Sequence, residues 1–218
     1  MRHSDESGRR GSQFLSGPSI PVSYTHLHPE GSLKSYKAIV DAYEDRYKAP
    51  LNGMLSEFKK EKYVDAVGYA SRGQTTDGKR HLHQRRLKKS TLAEVERLLT
   101  SVDLRQYRDF ASLYKAIANR LDRCSGVGPL MKYDTALRIG ANLGVFPERV
   151  YLHSGTSAGA KALGFSVKDS PIERSRLPKA FHSLEPHELE DCLCIFKPAL
   201  QELSKLGRYP QSDSPPLR

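Results

Sequence analysis

Cysteine is scarce in this chain of 218 residues: only Cys124, Cys192 and Cys194 occur. The number is odd, and Cys192 and Cys194 are two apart, so on one helix they point in different directions. This argues against a disulfide framework and for a reducing, cytoplasmic setting. No stretch approaches 18 consecutive apolar residues, which argues against a membrane-spanning helix. Residues 1–17 lack the apolar run of a secretory signal. No Cys/His run has zinc-site spacing, and the Walker loop, the Rossmann fingerprint and the serine-nucleophile elbow are all missing. No cofactor and no metal are therefore expected.

Acidic residues are also in short supply. Against 35 lysines and arginines stand 25 aspartates and glutamates, a formal charge of +10. The excess is local. Arg72, Lys79, Arg80, Arg85, Arg86, Lys88 and Lys89 face one acid, Asp77, so residues 72–89 carry +6. A concentrated positive field attracts polyanions, nucleic acid first among them.

Composition divides the chain. Residues 1–32 are rich in Ser, Gly, His and Pro without periodicity, which predicts disorder. Val22–Leu27 resembles translated adapter sequence, so the segment is set aside as non-native. Residues 207–218 read as a loose tail. Residues 33–206 read as one all-α domain. Leu33, Tyr36, Ile39, Val40, Tyr43 and Tyr47 give a helical stripe that should stop before Pro50. A helix or helix pair follows from about Leu51 to Tyr69, then a loop at Gly73–Lys79. Thr91 and Glu94 suggest a capping box ahead of Leu92, Val95, Leu98 and Leu99. A helix is predicted over Leu104–Leu121. A last one starts at Pro186, with Ser183 upstream, and should break at Pro198.

Cys124–Gly144 carries the most information. A helix ends before Ser125, Gly126 and Gly128 flank Val127, and Pro129 opens a new helix that Gly144 should end. Both glycines are expected at positive φ, with Val127 plugging the turn into the core. The free N–H groups at the new helix's start favour an anion, and such a turn can grip a phosphate without reading a base. Leu130, Tyr133, Leu137 and Ala141 should face inward, and Asp134 should pair with Arg138.

Ser125–Gly128, with Thr135-Ala136 downstream, resembles the helix-hairpin-helix motif. Through Val150–His153 the stretch is similar to the core of the helix-hairpin-helix DNA glycosylases of the endonuclease III type. Residues 81–196 also resemble an uncharacterised group of bacterial proteins sharing this core. The resemblance implies a helical DNA-repair fold, but the chain departs from the pattern. The family's catalytic aspartate falls at Tyr151, and a phenol supplies no carboxylate charge at neutral pH. The spacing from hairpin to Thr-Ala is about one helical turn longer. The lyase lysine falls at Asp134, with Lys132 out of register.

The leading expectation is therefore DNA binding through the phosphate backbone, with weak sequence preference and without base excision. The expected contacts are Gly126, Val127, Gly128, Lys132, Arg80, Arg85, Arg86, Lys88 and Lys89. The alternatives are a divergent glycosylase or DNA-cleaving enzyme using Asp134 or His153, and a partner-binding protein that has lost DNA contact. His81 and His83 make a conceivable metal pair, but no carboxylate sits at ligand spacing. His153 reads as structural, and His182 and His187 as surface or capping residues. The Gly155–Gly159 stretch reads as a tight packing turn before a short helix, with Thr156 and Lys161 as a lesser second backbone contact.

Overall fold

The computed structural model describes residues 33–207; the expectations for residues 1–32 and 208–218 lie outside it. The described chain is all-α. Strand pairing within it is limited to two isolated bridges, Gln74 to Arg80 and Val150 to Ile172.

Helix α1 (Tyr36–Tyr43) starts where the Ser35 hydroxyl accepts the Ala38 N–H. It does not stop ahead of Pro50. A π-helical turn, Glu44–Lys48, carries it into α2 (Ala49–Lys60), whose first turn holds Pro50. A widened turn at that place accepts a residue that cannot donate a backbone hydrogen bond. Helix α3 (Tyr63–Ser71) makes this stretch a pair, the second of the two expected alternatives. Asn142 donates to the carbonyls of Phe58 and Glu61, so a side chain from elsewhere closes the end of α2.

Helix α4 (Lys89–Thr100) begins two residues before Thr91, and the expected capping box is absent. Thr91 instead donates to Ser125 O, at 3.3 Å, and Glu94 pairs with Arg97. The predicted helix over 104–121 is shorter. A 3₁₀ turn at Leu104–Gln106 precedes α5 (Phe110–Leu121), which Asp109 caps by accepting from Ser112 N–H.

Helix α6 (Pro129–Leu143) ends at Gly144, φ +74°, as a left-handed cap. Met131 rather than Leu130 is buried in its first turn, and residues 135–141 are buried on every side. The helix packs against α2, α3 and α5, a central position that a one-faced stripe does not anticipate. Helices α7 (Ser154–Ala162), α8 (Pro186–Ile195) and α9 (Lys197–Lys205) follow. The break between α8 and α9 falls at Phe196, with Pro198 in the first turn of α9. Glu185 and Glu188, not Ser183, form the cap of α8.

The apolar residues form two clusters. One gathers Leu55, Phe58, Val95, Leu99, Phe110, Leu113, Ile117, Tyr133 and Ile139 from α2 to α6. The other gathers Ile39 and Tyr43 from α1, Leu189 and Leu193 from α8, Leu200 from α9, and Val150 and Phe181 from the segments between α6 and α8. Each fully buried aliphatic side chain contributes about 1.5–3 kcal/mol. Polar side chains that no surface position explains, among them Arg138, His153, Thr156 and Glu190, are buried as well.

Candidate nucleic-acid interface and polar seam

The hairpin joins α5 to α6 through residues 122–128. Cys124 N–H donates to Leu121 O and Val127 N–H to Cys124 O, which folds the chain back at once. Gly126 has φ +84°, a left-handed conformation that favours glycine. Gly128 does not share it. Its φ is −91° and its ψ 176°, extended backbone of the kind the following Pro129 enforces. The expected positive φ at Gly128 is thus corrected. Val127 is half-buried against the first apolar cluster, while Ser125, Gly126 and Gly128 are exposed. The first intrahelical bond of α6 runs from Lys132 N–H to Gly128 O, so the N–H groups of Leu130 and Met131 precede the ladder.

The basic segment is pinned beside this hairpin at two points. At one end, Gln84 Nε2 donates to Asp134 Oδ2 at 2.5 Å, on α6. At the other, Thr91 reaches Ser125 in the turn itself. Between these pins lie Arg85, Arg86, Lys88 and Lys89, all exposed and outside every ion pair among the described residues. The other cations of the run are engaged internally. Arg72 pairs with Glu96, Lys79 with Asp77, and Arg80 donates to the carbonyls of Gln84 and Leu87. Arg80 therefore shapes the loop. Lys132 pairs with Asp122 across the hairpin and keeps only 14% side-chain exposure.

Behind the basic segment lies a cluster of polar groups. Asp134 Oδ2 receives Gln84 and lies 3.7 Å from His83 Nδ1 and 3.8 Å from Arg138 Nη2. Arg138 is 2% exposed, and the expected Asp134–Arg138 pair is present. His83 and the Arg138 guanidinium hold the Asp134 carboxyl well below the usual range, against the opposing effect of burial. That carboxyl stays ionised and is no proton donor at neutral pH. Burial, with Arg138 nearby, pushes His81 down to about 3, a neutral imidazole. His83 is shifted upward by its contact with Asp134.

His153 lies elsewhere in the same seam. Its Nε2 is 2.6 Å from Glu190 Oε1, which also accepts from the Thr156 hydroxyl at 2.5 Å. Burial opposes charging of His153, but Glu190 outweighs it and raises the pKa. Thr156 is thus committed inside the protein and offers nothing to a phosphate. Gly155 and Gly159 sit directly on α8: an added Cβ would fall 2.2 Å from Cys194 Sγ and 2.1 Å from Leu193 O, respectively. The expected packing turn is corrected: these glycines lie within helix α7 and let it pack closely on α8. Tyr151 packs its ring at 5.0 Å from Tyr114 and 5.5 Å from Phe110, and burial keeps its phenol protonated.

His182 is exposed, with Nε2 2.8 Å from Leu177 O. His187 corrects the surface expectation: it is buried, 3.3 Å from Asn52 Oδ1 and against the Phe146 ring. It lines a cavity of about 480 Å³ with Asn52, Leu55, Lys59 and Glu185, which shares no residue with the hairpin or the Asp134 cluster. Sequence reasoning missed Gln84, Glu190 and Asp191, and it missed the internal partner of Thr156. Their partners lie 34 to 148 residues away, and no local spacing signals such a pair.

Among the described residues no helix is long and apolar enough to cross a membrane. Comparisons with protein-family models, with curated proteins and with solved structures found no match.

Proposed function

We propose that this chain binds the phosphate backbone of duplex DNA through the 122–128 hairpin and the flanking basic segment, with little preference for sequence. The observation that carries the reading is the double pinning of residues 84–91 alongside α6. It holds the segment that carries the exposed Arg85, Arg86, Lys88 and Lys89 beside the hairpin that leads into α6. Backbone donors would hold one phosphate, and the four cations would neutralise its neighbours. Of the contacts expected from sequence, Gly126, Gly128, Arg85, Arg86, Lys88 and Lys89 remain in the proposed interface. Val127 holds the turn from behind, and Arg80 and Lys132 act by shaping the loop and the hairpin.

Base excision is left out of the proposal. Tyr151 sits where the resemblance asks for a carboxylate, and its ring is engaged with Tyr114 and Phe110. Asp134 is ionised but already shared among Gln84, His83 and Arg138.

The test is binding to random-sequence duplex over a range of salt concentrations. Affinity should fall steeply as salt rises, because bound phosphates release counterions. Arg85→Glu with Arg86→Glu should weaken binding to all sequences alike and flatten the salt slope by about two phosphate contacts or more. A folded double variant with parental affinity and slope would remove this edge from the interface.

A further inference from the structure

We propose that His81, His83 and Asp134 form a site for one divalent transition-metal ion of the zinc class, held by two imidazole nitrogens and one carboxylate oxygen. The sequence places the histidines two apart with no carboxylate at ligand spacing. The fold supplies one from α6, 51 residues beyond His83. One ligand atom from each of the three residues lies within 4.8 Å of the others. Around a tetrahedral ion with ligands at about 2.1 Å, ligand atoms stand about 3.4 Å apart. Rotation of the two imidazoles, shifting their nitrogens by about 1 Å, closes the difference.

Two further observations favour a cation there. His81 Nδ1 is buried and has no hydrogen-bond partner among the described residues. The Asp134 contacts to Gln84, His83 and Arg138 all fall on Oδ2, so Oδ1 lies outside them.

The donor set selects the ion. Imidazole nitrogen suits zinc, iron and nickel, whereas magnesium and calcium take oxygen donors almost throughout. Gln84, donating to Asp134, is the partner that would orient the carboxylate ligand. Three protein ligands leave a coordination position for water, and His83, at 25% side-chain exposure, gives it access to solvent.

The experiment uses the full chain, stripped with a chelator, dialysed into metal-free buffer and titrated with Zn²⁺ against a chromogenic chelator. A parallel titration uses Co²⁺ with visible spectroscopy. One equivalent should bind with micromolar or tighter affinity, with d–d absorption from Co²⁺ and a raised melting temperature. Asp134→Asn keeps the side chain's shape and the oxygen that Gln84 needs, but removes the anionic ligand. This variant and His83→Ala should each weaken binding by at least about tenfold. His182→Ala should bind as the parent does. If His83→Ala melts early, Asp134→Asn decides. Absence of stoichiometric binding in the parent overturns the site, as does parental affinity in folded Asp134→Asn. The titration contains no DNA, so its failure leaves the backbone-binding reading standing, and the reverse also holds.

Discussion

Gly159 has no room for one more carbon. Its Cβ would meet the backbone carbonyl of Leu193, which cannot rotate away as a side chain can. Gly159→Ala should therefore push α7 off α8 and cost about 1–3 kcal/mol. Urea denaturation checks this, and an unchanged midpoint would show that the two helices part without strain. Asp191 makes a second prediction at this scale. Burial, reinforced by Glu190, pushes its carboxyl up to about 7, although the Tyr43 hydroxyl donates to it at 3.3 Å. His83 also lowers it and Asp134 raises it, both through space. An unfolded aspartate titrates near 3.9, so between about 3.9 and 7 the folded state binds the extra proton. This group's contribution must then decline as pH rises through that window. Asp191→Asn should remove the decline and leave the variant more stable than the parent at pH 8 by about 2 kcal/mol, at about 1.4 kcal/mol per unit with part offset by neighbouring groups. The comparison is a pair of denaturation curves at pH 5 and pH 8. An equal difference between parent and variant at both pH values would mean that the carboxyl is ionised throughout.

Substitutions at the two glycines of the hairpin should separate folding from the proposed binding. Gly126 is left-handed, so Gly126→Val forces a β-branched side chain into a conformation that costs about 1–2 kcal/mol. Gly128 is extended, precedes a proline and has no atom within 4 Å of an added Cβ. A valine suits that backbone, so Gly128→Val should melt within about 0.5 kcal/mol of the parent. Its side chain would nevertheless stand where a phosphate must approach the first turn of α6. Affinity for duplex DNA should fall by about tenfold or more, the loss of about one charge-assisted contact. Fluorescence anisotropy beside a thermal melt reads both quantities. A stable Gly128→Val protein with parental affinity would take the hairpin out of the interface. Thr91 bears on the same element. It forgoes a cap on its own helix to hold Ser125, so Thr91→Val should loosen the basic segment from the hairpin while sparing α4.

At the scale of the molecule, two apolar clusters account for the folded core, and a band of polar side chains accounts for the chemistry. The basic segment crosses between these roles. Its inner end, His81 to Gln84, meets Asp134, and its outer residues, Arg85 to Lys89, meet solvent. A metal ion on the inner end would stiffen the outer one. If both proposals hold, loading the site with Zn²⁺ should tighten duplex binding in the parent and leave Asp134→Asn unaffected. Measuring affinity with and without the ion at one salt concentration checks the coupling, and identical affinities would show that the inner and outer ends act separately.

Local chemistry was legible in the sequence. The apolar stripe of α1, the left-handed cap at Gly144, the break ahead of Pro198 and the i,i+4 pair of Asp134 and Arg138 all follow from spacing and conformational preference, and all are present. So was the charge run at 72–89, although not which of its cations stay free. Where sequence reasoning went astray, a distant group had taken over a local role. Ser125 claimed the hydroxyl of Thr91, Phe146 and Asn52 enclosed His187, and a π-turn carried the helix through to Pro50. The carboxylate beside His81 and His83 lies 51 residues along the chain from His83, and Glu190 lies 37 beyond His153. Spacing rules reach about one helical turn, whereas burial pairs polar groups across whatever elements packing brings together.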